Sequence, residues 1–220
     1  MTEVDRWTGF SDHFTHLRTG NPAADKASLL AAILADGTNL GLSRMADTSH
    51  GLNYHRLVNV AQWHITEDNY ASARAAIINA HGRIERTLFT LKWLSDPALR
   101  QLSHAGLNKG EASNSLRRAL FFHRQGEFRD RTFENQSFRA SGLTLVTAAI
   151  VHWNTAYLDL AVQLLRTRGV NVSDSLLAHV APLGWEHIAL TGDYVWSTAD
   201  TTDSFRPLRD VPRPFLCEAA

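Results

Sequence analysis

The stretch Leu143-Thr-Leu-Val-Thr-Ala-Ala-Ile-Val-His-Trp-Asn-Thr-Ala-Tyr-Leu-Asp-Leu-Ala-Val-Gln-Leu-Leu165 decides the fold. Leu143, Val146, Ile150, Trp153, Tyr157, Leu160 and Leu164 recur at steps of three and four, the spacing of one helix face. His152, Asn154, Asp159 and Gln163 interrupt the apolar run. A span through a bilayer needs about 20 predominantly apolar residues, so the segment reads as a buried helix. Thr132 is the expected N-cap, with Glu134 and Asn135 in the first turn. Arg166 and Arg168 suit the negative end of the helix dipole, and Gly169 suits the C′ position.

Working outward, the same period returns on both sides. Leu29, Leu30, Ile33 and Leu34 predict a helix that Gly37 and Asn39 end, with Asn21 as its cap and Pro22 at its first position. Ser43 is the expected cap of a further short helix. A helix is predicted from Asn53 to Ile65, burying Leu57, Val60 and Ala61. Thr66-Glu-Asp-Asn69 is a strong start for the next, through Ala71, Ala75 and Ile78 to Gly82. Ile84, Leu88, Leu91 and Leu94 follow, then a start at Asp96-Pro97, a break at Leu107 to Gly110 and a helix from Glu111 to His123. Alternation of period two is nearly missing, and neither Val170–Val172 nor Asp193–Val195 makes a persuasive strand. The fold class is mainly α.

Composition narrows the possibilities. The 220 residues are 44% hydrophobic and 20% charged, enough to bury a core. Lys plus Arg equals Asp plus Glu, so no whole-chain basic field exists, and an anion-binding surface requires local clustering. Cys217 is the only cysteine, which excludes a disulfide scaffold or cysteine-ligated zinc and fits a reducing cytoplasm. Met1 to Phe10 is polar and charged, so no signal peptide is expected.

Few constellations suggest chemistry. His13 and His16 stand three apart but lack a third ligand nearby, so packing histidines are the plainer reading. There is no G-x-S-x-G elbow. Ala35-Asp-Gly-Thr-Asn-Leu-Gly41 has two glycines but no Gly-Lys-Ser/Thr, and reads as a turn between helices. From Leu107 to Arg139 the chain is locally basic. Lys109, Arg117, Arg118, Arg124, Arg129 and Arg131 are candidates for phosphate contacts. A solvated face laced with ion pairs, each contributing about 0–1 kcal/mol, accounts for the same residues.

Ten short stretches, in one order, resemble the C-terminal catalytic region of the Tn-three family of transposases. They are Glu3-Val-Asp-Arg-Trp-Thr-Gly-Phe10, His13-Phe-Thr-His-Leu-Arg18, Leu34-Ala-Asp-Gly-Thr-Asn-Leu-Gly-Leu42 and Arg83-Ile-Glu-Arg-Thr-Leu-Phe89. Gly106-Leu-Asn-Lys-Gly-Glu111, Arg129-Asp-Arg-Thr-Phe-Glu-Asn-Gln136, Ala140-Ser-Gly-Leu143 and Trp153-Asn154 follow. Pro182-Leu-Gly-Trp-Glu-His187 and Leu190-Thr-Gly-Asp-Tyr-Val-Trp196 complete the set.

The resemblance implies a ribonuclease H-like DDE core in which two Asp and one Glu hold magnesium around a scissile phosphate. Glu111, in Gly-Glu, matches the third acid and would be both catalytic and metal-ligating. The motifs carrying the two Asp do not occur. The expectation is an internal deletion with its junction at His81-Gly82, leaving a helical remnant whose central sheet is largely gone. Residues 1–82 would be a helical segment preceding the core, 83–209 the C-terminal part with the third acid, and 210–220 a tail. Magnesium, the family's cofactor, would not be bound productively. Transposon-end DNA is the implied partner, with full-length transposase or a second copy as further candidates and no membrane. The expected function is an inactive truncated transposase. The alternatives are a regulatory protein that binds transposase or DNA and inhibits transposition, and a helical binding protein unrelated to DNA.

Overall fold

The computed structural model describes residues 1–84, 97, 109–121, 133–173, 176–177, 180, 182–190 and 192–196. Among these residues the protein is helical and contains no strand. Two isolated bridges stand where a sheet is absent: Thr15 with Pro22, and Ser49 with Tyr194.

The central element is α7, Phe133–Thr167, about 52 Å long at 1.5 Å per residue. It packs against α2 (Lys26–Gly37) and α5 (Glu67–His81). Its deepest face differs from the expected stripe. Leu145, Ala149, His152 and Ala156 are buried, beside Val146 and Ile150, while Leu143, Trp153, Tyr157, Leu160 and Leu164 are only partly covered. The reason is that helices cover more than one side of α7, so small and polar residues are enclosed as well. By length and composition α7 could cross a membrane, yet half of its most apolar window is buried against the rest of the chain. The helix closes with Gly169 at φ +82, whose neighbour Val170 donates its N–H to the Leu165 carbonyl.

Local chemistry explains most boundaries. Thr66 caps α5 through its hydroxyl, which accepts from the Asn69 N–H at 3.1 Å. Asn53 caps α4 (Tyr54–His64) through its amide oxygen, which accepts from the Arg56 N–H at 3.0 Å. The expected start of α2 is corrected. Asp25 is the cap, accepting from the Ser28 N–H at 3.1 Å and the Ser28 hydroxyl at 2.7 Å. Asn21 and Pro22 instead close a turn, the Asn21 carbonyl accepting from the His16 N–H. A carboxylate holding two donors outcompetes an amide that would hold one. Ser43 lies inside α3 (Leu42–Asp47), which is preceded by Gly41.

The first twenty residues are more ordered than their weak periodicity suggests. They hold α1 (Thr2–Thr8) and a 3-10 turn, Phe10–His13. Tertiary contacts fix these short pieces. Val4, Phe10 and Phe14 enter the main core, and the Asp5 carboxylate accepts from both the N–H and the hydroxyl of Ser11. On the far side, α6 (Lys109–Leu120) starts at Lys109, within the expected break, and ends three residues early. Leu116 and Leu120 anchor it in the main core. The expected elements around Leu88 and Asp96-Pro97 and the Thr132 cap lie outside the described residues, save Pro97 itself.

Candidate active site

Glu111 occupies the third position of α6, and its side chain lies outside the described ones. Ser115 and Arg118, four and seven residues further on, are exposed, as is Arg117. The helix therefore buries Leu116 and Leu120 and turns two of the predicted basic residues to solvent. The side chain of Lys109 and the residues Arg124, Arg129 and Arg131 fall outside the described part.

Among the described residues no three His, Cys, Asp or Glu side chains come together as a metal donor set. Several of the described carboxylates are taken up by structural contacts. Glu3 accepts from the Trp153 indole at 2.9 Å and from the Tyr157 hydroxyl at 3.1 Å. Asp36 accepts from the Tyr70 hydroxyl at 2.9 Å. Asp12 and Asp25 pair with Lys26 and Arg56 at 2.8 and 2.7 Å. His13 and His16 do not form a ligand pair. His16 instead stacks on Trp63 with ring centroids 5.1 Å apart and packs edge-on to His64 at 5.2 Å. The described residues thus do not fit a magnesium pair, which demands several free oxygen ligands.

Four of the sequence motifs do meet, two by two. The Leu34–Leu42 motif crosses the Ala140–Leu143 motif at a glycine pair. A Cβ built on Gly37 would lie 2.9 Å from the Gly142 carbonyl oxygen, and one on Gly142 would lie 2.8 Å from the Asp36 Cβ. Only glycine permits this approach of α2 to α7. Around the crossing, Arg139 donates to the Asn39 side chain and Ser137 to Glu67. Tyr70 is fully enclosed, and its hydroxyl is pushed well above its ordinary value by burial and by the Asp36 charge.

The Trp153-Asn154 motif holds the Pro182–His187 motif. The Asn154 amide donates to the carbonyls of Pro182 and Gly184 at 2.9 and 2.7 Å, and its oxygen meets His187 Nε2 at 2.9 Å. Farther along, the Trp196 indole donates to the Ser49 hydroxyl at 3.1 Å. Between these clamps and α1 lies an open cavity of 380 Å³, lined by Val4, Leu34, Leu120, Ile150, Trp153 and Trp196 among others.

Two histidines form a buried pair that no spacing in the sequence indicates. His152 is 4% exposed, its Nδ1 has no hydrogen-bond partner, and its ring lies 5.7 Å from that of His81. Burial and the neighbouring His81 bring His152 down to about 4, and burial lowers His81 as well. The pair is neutral at pH 7. The polar interruption of the apolar run was its one sequence signal.

The family profile described as "Tn3 transposase DDE domain" matches residues 1–82 and 80–194. The transposase for transposon Tn3926 of Escherichia coli is 29% identical over 406 residues, covering 96% of this chain and 41% of the relative. The transposase for transposon Tn501 of Pseudomonas aeruginosa is 30% identical over 407 residues, covering 97% and 41%. The transposase for transposon Tn2501 of Escherichia coli is 58% identical over 132 residues, covering 59% and 13%. The alignments thus span 41% of the longer-matching relatives, and this chain is shorter than the full transposases.

Proposed function

The chain belongs to the Tn3 transposase DDE domain family, and we propose that it is an internally shortened transposase that has lost strand-transfer chemistry. The observation that carries this reading is the split match. Two segments of the profile meet at residues 80–82. The first relative needs 406 aligned positions to accommodate 96% of 220 residues. That leaves about 195 positions with no counterpart here, inside the chain and not at its ends. The junction falls at the end of α5, where His81 and Gly82 pass directly into Arg83.

The lost block is the part of the family that carries the two Asp motifs and the strands of a ribonuclease H-like sheet. Residues 1–82 and 83–209 are its two arms, and 210–220 a tail. Glu111 remains as a lone third acid. In-line displacement at phosphate uses a pair of metal ions about 3.5–4 Å apart, which one carboxylate cannot hold. By this reading the magnesium chemistry of the family lacks the two Asp ligands that would complete its cage with Glu111. Transposon-end DNA remains the partner that kinship supports, through exposed arginines such as Arg117 and Arg118.

The test is end joining. Purified chain is incubated with labelled transposon-end duplex, target DNA and magnesium or manganese. No joined product above background is expected. Joined product that disappears with Glu111→Gln would overturn the proposal.

A further inference from the structure

The end of α5 and the middle of α7 bring two imidazoles together inside the helix packing. His81 is the last residue of α5 and His152 lies within α7, with ring centroids 5.7 Å apart and planes inclined at 55°. Trp7 of α1 packs beside His152 at 6.0 Å. His152 is 4% exposed, yet its Nδ1 has no hydrogen-bond partner. A buried polar atom left unpaired is rare and destabilising unless a water or an ion completes it. Elsewhere the ring nitrogens are engaged. His64 Nδ1 meets the Phe14 carbonyl at 3.0 Å, His16 Nδ1 accepts from the Arg18 N–H at 3.1 Å, and His187 Nε2 meets the Asn154 oxygen at 2.9 Å.

Burial lowers both members of the pair, so at pH 7 each ring keeps the neutral form that a metal requires. Imidazole nitrogen suits zinc, cobalt and nickel, whereas magnesium prefers oxygen. A zinc–nitrogen bond of about 2.0–2.1 Å puts an imidazole centre about 3.2 Å from the ion, so two rings sharing one ion stand no more than about 6.4 Å apart. The observed 5.7 Å lies inside that reach. A water would satisfy the Nδ1 atom alone; a second neutral imidazole at this distance favours an ion. His81 is half-buried, which gives the ion a route from solvent. No third His, Cys, Asp or Glu joins the pair among the described residues, so water completes the coordination and the affinity stays below that of a four-ligand site.

We propose that His81 and His152 form a site for one zinc ion, distinct from the carboxylate position at Glu111, that ties the C-terminal end of α5 to α7. The bound ion braces the helix that ends immediately before Gly82.

The experiment strips the full chain with a chelator, then titrates zinc by calorimetry and cobalt by visible absorption. One ion per chain should bind saturably and raise the thermal midpoint. His81→Gln and His152→Phe should each abolish both effects, while Glu111→Gln and His16→Gln should leave them intact. His81 stands at a half-buried helix end, so its variant keeps the test decisive if His152→Phe fails to fold. Absence of saturable uptake by the unaltered chain overturns the proposal, as does uptake that survives His81→Gln. Manganese binds such nitrogen ligands most weakly of the series, so the reading of Glu111 is tested apart from this site.

Discussion

The α2–α5–α7 crossing and the α6 side of the molecule are built differently. At the crossing, glycine meets glycine, Tyr70 and Asp36 satisfy each other, and the side chains at the centre are sealed. On the α6 side, Leu120 and Ile150 border an open cavity of 380 Å³, and the chain returns past it in an irregular segment pinned by Asn154 and Trp196. Both regions draw on the same buried cluster. The helices before and after the His81-Gly82 junction, α2 and α5 against α7, pack directly on one another, whereas the α6 side is left open at the cavity.

Substitution at the crossing should have the largest effect. Gly142→Val places carbon against the Asp36 Cβ and the Gly37 backbone, with no flexible side chain to move aside. A loss of about 3 kcal/mol is expected in urea unfolding. A variant as stable as the parent would show that the two helices are not locked there. Next, Leu145→Ala in the sealed core should cost about 3 kcal/mol, but Leu120→Ala beside the cavity only about 2, because its surroundings can relax. Equal costs would erase the distinction between the two sides.

A third test concerns the histidine pair. His152 stays neutral in the fold down to about 4, against 6.5 when free, because burial and His81 disfavour the imidazolium. Its contribution is fully present above pH 6.5 and is lost as pH falls toward 4. About 2 kcal/mol of stability should disappear over that window. In His152→Phe the pH profile of unfolding should flatten by a similar amount; an unchanged slope would place the acid sensitivity elsewhere.

Much of the helical framework could be read from the sequence, because its determinants are local. The Thr66 hydroxyl three residues before Asn69, and the apolar steps of α2 and α4, needed no tertiary information. The Asp25 cap was missed because Asn21-Pro22 is an equally good local signal, and only the fold commits those residues to the Thr15 turn. The helix at Thr2–Thr8 was missed because distant residues stabilise it, notably Trp153 and Tyr157 through Glu3. The second buried face of α7 depends on neighbours that no periodicity reveals. At the candidate site, sequence named Glu111 and its flanking bases, and the described structure exposes Arg117 and Arg118. The joining of the Gly37 and Gly142 motifs, about a hundred residues apart, was beyond any local reading.

The proposal that the metal cage is incomplete is tested most directly by manganese titration of the purified chain, followed by water-proton relaxation. Only weak, unsaturable binding that Glu111→Gln leaves unchanged is expected. Saturable uptake of a pair of ions, abolished by that substitution, would mean that other carboxylates gather around Glu111 and that the third acid is not alone.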